Sequence, residues 1–305
     1  MSKKNKKDLL TLKDYDGKTI KYLLDLTRDI KNNPAKYSKV LEGKNIALLF
    51  DKHSTRTRLS FEAGISQMGG NAIYLDAKNL QLSRGETYAD TARIFSLYLD
   101  AVVIRTFSHS TVEVFAEEGS IPVINGLTDM YHPCQALSDL FTIMEAGLML
   151  PGLKITYMGD SNNVTNSLMV GLAKQGIKLT VSSPPEYKPG QEIMKYIESI
   201  KGSDVSVVTD PVKAVHEADI IYTDVWISMG DTESDKKAEK LSSYQLNSDL
   251  LSYAPDDVLI MHCLPAHRGE EITAEVLDGP NSIVLKQAEN RLYTQKALMA
   301  YIFED

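Results

Sequence analysis

Two cysteines, Cys134 and Cys263, and a single tryptophan occur among 305 residues. Two cysteines cannot build a disulfide scaffold or a four-cysteine zinc site, and a reducing cytoplasm is the expected setting. Eighteen glycines and eleven prolines are too few for a collagen-like or low-complexity chain. No apolar run approaches ~18 residues, so no membrane span or membrane partner is expected. Positive charge is also short: 33 Lys and Arg stand against 41 Asp and Glu, a net charge of −8. Nucleic-acid modules usually carry a basic excess, so no nucleic-acid partner is expected. A local cationic pocket for a small anion stays compatible with that total. The GxxxxGK[ST] loop is absent, which excludes a Walker A site. The turn Gly159-Asp160-Ser161-Asn162-Asn163 is not GxGxxG, which argues against a dinucleotide cofactor.

The basic start, with Lys3, Lys4, Lys6 and Lys7, leads into no apolar signal core and lacks the arginines of a transit peptide. It reads as a solvated beginning.

What the sequence does have is an alternation of elements. Short apolar, β-rich runs occupy 45–50, 71–76, 101–106, 121–125, 154–160, 178–182, 205–210, 220–226 and 258–264. Several are continuously apolar, as strands buried on both faces should be. Helical spacing of apolar residues marks 60–68, 135–146, 166–175, 191–200 and 294–302. This order predicts an α/β chain with two domains, each a parallel sheet with helices on both faces. Two domains also suit the length, since domains run at roughly 100–150 residues. The joint is placed beside Pro151-Gly152.

In open parallel sheets, ligands bind beyond the carboxyl ends of the strands. Those ends are where the polar residues gather. The first run leads into Ser54-Thr55-Arg56-Thr57-Arg58 and then a helix. A helix N-terminus offers unpaired N–H groups, hydroxyls add donors, and arginine grips oxyanions bidentately. Arg105 ends the third run. His132-Pro133-Cys134-Gln135 opens another helix. Asn162 and Asn163 follow the fifth run, in a turn suited to a carboxylate. Asp224 closes the eighth run, and His262-Cys263-Leu264-Pro265 the ninth. Neither His/Cys pair has the spacing of two ligands to one zinc, so no metal is expected.

Four of these segments resemble the carbamoyltransferase family: Ser54-Thr55-Arg56-Thr57-Arg58, His132-Pro133-Cys134-Gln135, Asp224 with Ser228-Met229-Gly230, and His262-Cys263-Leu264-Pro265. They occur in the family's order along nearly the whole chain. The first two are shared with the aspartate branch, whereas the last two are similar to the ornithine branch. The flanking Asp51-Lys52-His53 departs from the Glu-Lys start of the family pattern. The resemblance implies a carbamoyl phosphate-binding domain at 1–148 and an ornithine-binding domain at 149–290. Residues 291–305 would form a helix returning to the first domain, with the active site in the interdomain cleft. It also implies carbamoyl transfer to the δ-amine of ornithine without metal or organic cofactor, with a related enzyme acting on putrescine or another amine as the alternative. Carbamoyl phosphate would be held by Ser54, Thr55, Arg56, Thr57, Arg105, His132, Gln135, Cys263, Leu264 and Arg291. Gln81 would come from a neighbouring subunit of a homotrimer or an assembly of trimers. Asn163, Asp224, Ser228 and Met229 would receive ornithine, and Arg105, His132, Asp224 and Cys263 would take part in the chemistry. The polar stretch 228–240 reads as a mobile loop that orders over ornithine.

Overall fold

The computed structural model describes residues 6–148, 152–227 and 234–304. Their contacts divide into two units: the chain up to Phe141 together with the stretch from Asn290 onward, and Thr142–Glu289. No helix among the described residues is long and apolar enough to cross a membrane.

The first unit holds a parallel four-stranded sheet. Its strands are β1 (Asn45–Phe50), β2 (Asn71–Asp76), β3 (Ala101–Arg105) and β4 (Val123–Leu127), in the order β2-β1-β3-β4. Helices α1 (Gly17–Asn32), α2 (Arg56–Gln67), α3 (Tyr88–Tyr98), α4 (His109–Glu118) and α5 (Pro133–Glu145) alternate with or flank them. The last five residues of β1 and all of β3 are buried, which explains the continuous apolar runs Ile46–Phe50 and Ala101–Ile104. Ala47, Leu49, Val102 and Ile104 pack with Phe95 of α3 and Phe115 of α4. β4 begins two residues later than its apolar run. Pro122 has no N–H to give the ladder, and its carbonyl accepts from Val102 instead.

The basic start is not solvated where it is described. Lys6 Nζ donates to the carbonyls of Ala116 and Gly119, and Lys7 Nζ to those of Tyr301 and Glu304. Carbonyls at the C-terminal ends of α4 and the last helix lack helical donors, and these ammonium groups supply them. Lys3 and Lys4 lie outside the described residues.

The second unit holds a parallel five-stranded sheet. Its strands are β5 (Lys154–Met158), β6 (Lys178–Ser182), β7 (Val205–Val208), β8 (Ile220–Thr223) and β9 (Leu259–His262), in the order β7-β6-β5-β8-β9. Its helices are α6 (Asn163–Lys174), α7 (Gln191–Ser199), α8 (Pro211–Val215), α9 (Ser234–Leu241), α10 (Ser248–Leu251) and α11 (Ala274–Leu277). Ile155, Tyr157, Leu179 and Val181 are buried on one sheet face. On the other face Met158, Ile221 and Ile260 join a core with Val215, Trp226 and Tyr244.

The final helix α12 (Val284–Phe303) starts ten residues before its apolar pattern. Beyond Val284, the buried residues of its first half are Gln287, Asn290 and Arg291, so hydrophobic periodicity does not register it.

Each sheet has one point where successive crossovers diverge. In the first unit it lies between β1 and β3, and in the second between β5 and β8. Such switch points open a crevice at the strands' carboxyl ends.

Candidate active site

The switch point of the first unit gathers a set of cations. Beyond β1, helix α2 starts at Arg56, and the N–H of Thr57 donates to Ser54 Oγ at 3.2 Å. Thr55 is exposed, Arg56 half-buried and Thr57 buried. Arg58 turns elsewhere. Its Nε donates to Glu62 at 3.0 Å, and its guanidinium lies 3.6 Å from the centroid of the Tyr74 ring.

Arg105 ends β3 at 7% exposure, and among the described residues its Nε has no hydrogen-bond partner. Burial lowers its pKa to about 10, with further contributions from the charges of Arg291 and Arg56. It therefore remains a cation at neutral pH, beside two other cations. His132, buried just ahead of α5, is held well below the usual histidine range. Burial is the larger cause, and the charges of Arg291 and Arg105 add to it. The imidazole is neutral at pH 7 and can donate from only one nitrogen.

Arg291 of α12 completes this set. Its Nη1 donates to Gln135 Oε1, and its Nη2 to Thr57 Oγ1 at 3.1 Å. Gln135 Nε2 in turn donates to buried Asp139 Oδ1 at 2.8 Å. A chain from Thr57 through Arg291 and Gln135 to Asp139 thus orients the guanidinium and the carboxamide. Three arginines and a neutral histidine make a set of donors suited to a compact anion. Cys134 belongs to the scaffold: its Sγ lies 3.4 Å from the carbonyl of Asn125, and burial pushes its thiol up to about 12. Such a thiol is inert.

The switch point of the second unit carries a different chemistry. Asn162 caps α6, its Oδ1 accepting from the N–H groups of Val164 (2.9 Å) and Thr165 (3.3 Å). That bond fixes its amide so that Nδ2 donates to Asp224 Oδ2 at 2.7 Å. Cys263 Sγ donates to the other oxygen, Asp224 Oδ1, also at 2.7 Å. Asp224 is 6% exposed, a buried carboxylate with a donor on each oxygen. Asn163 is the first residue of α6.

His262 organises the turn behind Cys263. Its Nδ1 accepts from the N–H of Leu264 at 2.8 Å, and its Nε2 donates to Glu271 Oε1 at 2.9 Å. His262 and Glu271 are both fully buried. Leu264 adopts φ +57°, a left-handed conformation that costs a branched side chain roughly 1–2 kcal/mol. Backbone strain of this kind gathers at functional sites. Ligand-type atoms of Asp224, His262 and Cys263 lie within 4.8 Å of one another. Both nitrogens of His262 are engaged by Glu271 and the N–H of Leu264, and the Cys263 thiol is bonded to Asp224, so these groups already have hydrogen-bond partners.

The sequence-derived residues thus fall into two groups. Thr57, Arg105, His132, Gln135 and Arg291 belong to the first unit, with Ser54, Thr55 and Arg56 at the same helix start. Asn163, Asp224, Cys263 and Leu264 belong to the second. Gln81 is exposed on a short turn, Gln81–Arg84, of the first unit. Ser228 and Met229 lie outside the described residues, as does the first part of the 228–240 stretch, whose later part forms α9. Asn162, which the sequence placed in a turn suited to a carboxylate but gave no contact of its own, and Glu271, which it did not single out, organise the second group. Asn162 had a signal, as a cap-type residue opening a helix, but Glu271 had none.

Two family models match the chain. The carbamoyl-P binding domain of aspartate/ornithine carbamoyltransferase covers residues 7–145, and the Asp/Orn binding domain of the same family covers 151–302. The chain belongs to the aspartate/ornithine carbamoyltransferase family. Among relatives of this carbamoyltransferase, an ornithine carbamoyltransferase of Bacillus thuringiensis subsp. konkukian is 50% identical over 305 residues, covering 99% of this chain and 96% of that protein. One from Bacillus subtilis is 51% identical over 300 residues, covering 97% and 93%. The solved ornithine carbamoyltransferase of Pyrococcus furiosus superposes with a TM-score of 0.92 at 47% identity, covering 96% of both chains. An anabolic enzyme of that name from Campylobacter jejuni also gives 0.92, at 37% identity, covering 97% of this chain and 98% of that one.

In this carbamoyltransferase the phosphate-type motif falls within the carbamoyl-P model. Asp224 and Cys263 fall within the Asp/Orn model. Arg291 lies in the span of the second model, yet its side chain bonds Thr57 and Gln135 of the first unit.

Proposed function

We propose that the protein transfers the carbamoyl group from carbamoyl phosphate to the δ-amine of L-ornithine, giving L-citrulline and phosphate. The observation that carries this reading is Arg105. It is a buried guanidinium beside Arg56, Arg291 and neutral His132, with an Nε that no described side chain satisfies. A phosphate dianion carrying a small polar acyl group suits that set.

Ser54, Thr55, Arg56 and Thr57 hold the phosphate at the α2 N-terminus. Arg105, His132 and Gln135 hold the carbamoyl end, together with Cys263, Leu264 and Arg291. Ornithine is received by Asn163, Asp224, Ser228 and Met229. Its alkyl ammonium has an ordinary pKa of about 10.4 and must lose a proton before it attacks. Asp224 and Cys263 orient the amine, and the departing phosphate accepts the proton. The nitrogen bonds to the carbonyl carbon, and negative charge moves to the former carbonyl oxygen. Thr57, Arg105 and the N–H of neutral His132 stabilise that oxygen as pre-placed donors. Collapse re-forms the carbonyl and breaks the carbon–oxygen bond to phosphate. Phosphate leaves readily, so the proposal uses no metal or organic cofactor, and much of the acceleration comes from positioning two reactants.

We further propose a homotrimer, or an assembly of trimers, in which Gln81 of one subunit reaches the carbamoyl phosphate of the next. Ile94, Leu97 and Tyr98 of α3 are 43%, 66% and 73% exposed, which leaves apolar surface on the first unit for a second copy to cover. The test of the reaction is product identification after incubation with carbamoyl phosphate and L-ornithine. Stoichiometric citrulline and phosphate support the proposal, and hydrolysis without citrulline refutes it.

A further inference from the structure

The second unit carries a polar groove that the proposed reaction does not use. Parallel sheets are normally covered on both faces and read as apolar on both. Here one face changes character along the sheet. On β8 and β9 it presents Ile221 and Ile260 to the core. On β5, β6 and β7 the same face presents Lys154, Thr156, Lys178, Thr180 and Ser206. The register aligns Lys154 with Lys178, Thr156 with both Thr180 and Ile221, and Thr180 with Ser206.

The cover over this half is α8, only five residues long, which packs on β5 and β6. Thr156 Oγ1 donates to the carbonyl of Ala214 and so pins α8 to the sheet. What remains is a groove of about 410 Å³, also lined by Val208, Val212, Lys213, His216 and Glu217. That size falls within the ~300–1,000 Å³ of small-molecule sites. Three lysines and a histidine surround it against one glutamate, in a chain of net charge −8. Lys154 is paired with Glu217 at 2.8 Å, and Lys213 approaches Asp210 at 3.6 Å with its side chain 82% exposed. Lys178 faces Glu217 only at longer range. Within the lining itself lysines outnumber carboxylates three to one, with Asp210 and Asp219 standing outside it beside Lys213 and Lys154, while Val208, Val212 and Ala214 give it an apolar wall.

We propose that this groove binds a small organic anion, one phosphate, sulfonate or carboxylate group on a flat apolar body. The anion lies against Lys178, Lys213 and His216, and the body rests on the valine wall. A protein partner is disfavoured because the floor is hydroxyl and ammonium rather than apolar. Lys154 and Lys178 open their strands, whereas Asp224 and Cys263 lie at the carboxyl ends of theirs. The groove is therefore separate from the ornithine-binding residues, and the inference does not depend on the acceptor.

2-Naphthyl phosphate, followed by its fluorescence anisotropy, is the probe. Three proteins are compared: the parent, the Lys178→Gln/Lys213→Gln double variant, and Arg56→Ala, which removes the phosphate grip proposed for the reaction. Saturable binding that weakens about tenfold in the double variant and weakens with salt supports the site, provided Arg56→Ala binds as the parent does. Three outcomes overturn it: binding lost in Arg56→Ala, binding unchanged in the double variant, or none in the parent at millimolar probe. Unchanged circular dichroism and thermal midpoint of the double variant confirm that the comparison reports the groove.

Discussion

Cys263 Sγ and Asp224 Oδ1 are 2.7 Å apart, and Asn162 Nδ2 occupies the other oxygen of the same carboxylate at 2.7 Å. The thiol and the carboxylate act as one unit, held from behind by the α6 cap.

Replacing Cys263 by alanine removes a donor from Asp224 without opening a large cavity. Turnover should fall by about 10–100-fold, the scale of a lost positioned donor, while circular dichroism and the thermal midpoint change little. Steady-state kinetics with both substrates check this. Unchanged kcat and KM contradict a role for the thiol.

Arg56→Ala removes a half-buried guanidinium at the α2 N-terminus. Carbamoyl phosphate should bind about 10–100-fold more weakly, the loss of a charge-assisted hydrogen bond to phosphate. Titration calorimetry measures it, with unfolding midpoints as the control. Parent-like affinity places the phosphate elsewhere.

Buried His132 should mark the acid side of the stability profile. Below about pH 6.5 an unfolded histidine takes up a proton. Folded His132 refuses it, because burial and the charges of Arg291 and Arg105 hold its pKa well below that value. Stability from this group is therefore complete above about pH 6.5 and falls as pH drops below it. His109, also lowered mainly by burial, adds a smaller slope of the same sign. Thermal midpoints between pH 5 and 8 should fall less steeply with acid in His132→Asn than in the parent. Equal slopes in the two proteins refute the assignment.

Glu271 is fully buried and accepts from His262 Nε2 and from the N–H of His267. Glu271→Ala leaves both donors unpaired and should cost at least about 1–3 kcal/mol in urea unfolding. His267→Ala, at an exposed side chain, should stay within roughly 0.5 kcal/mol of the parent.

Strand-end chemistry was legible in the sequence because each polar cluster directly follows an apolar run. Ser54–Thr57, Arg105, Asp224 and Cys263 all announced themselves in that way. Arg291 did not. It sits inside a helix whose buried face is polar at that point, and only the family resemblance pointed to it. Glu271 lies in a loop with no periodic pattern, and its partner His262 meets it only through folding. Lys6 and Lys7 read as a solvated start because nothing local shows that they reach the ends of α4 and α12. The polar face of β5–β7 carries Lys-x-Thr in both 154–156 and 178–180, a pattern that apolar-run reading passes over. Its meaning required the register that sets those residues side by side.

An amine-bearing α-amino acid is the expected carbamoyl acceptor. An acceptor screen at saturating carbamoyl phosphate, read as phosphate release, with L-ornithine, putrescine and L-aspartate decides this. kcat/KM for L-ornithine should stand roughly 100-fold or more above the other two, because putrescine has no carboxylate for Asn163 and aspartate no side-chain amine for Asp224 and Cys263. Equal or greater turnover with putrescine or aspartate would contradict it.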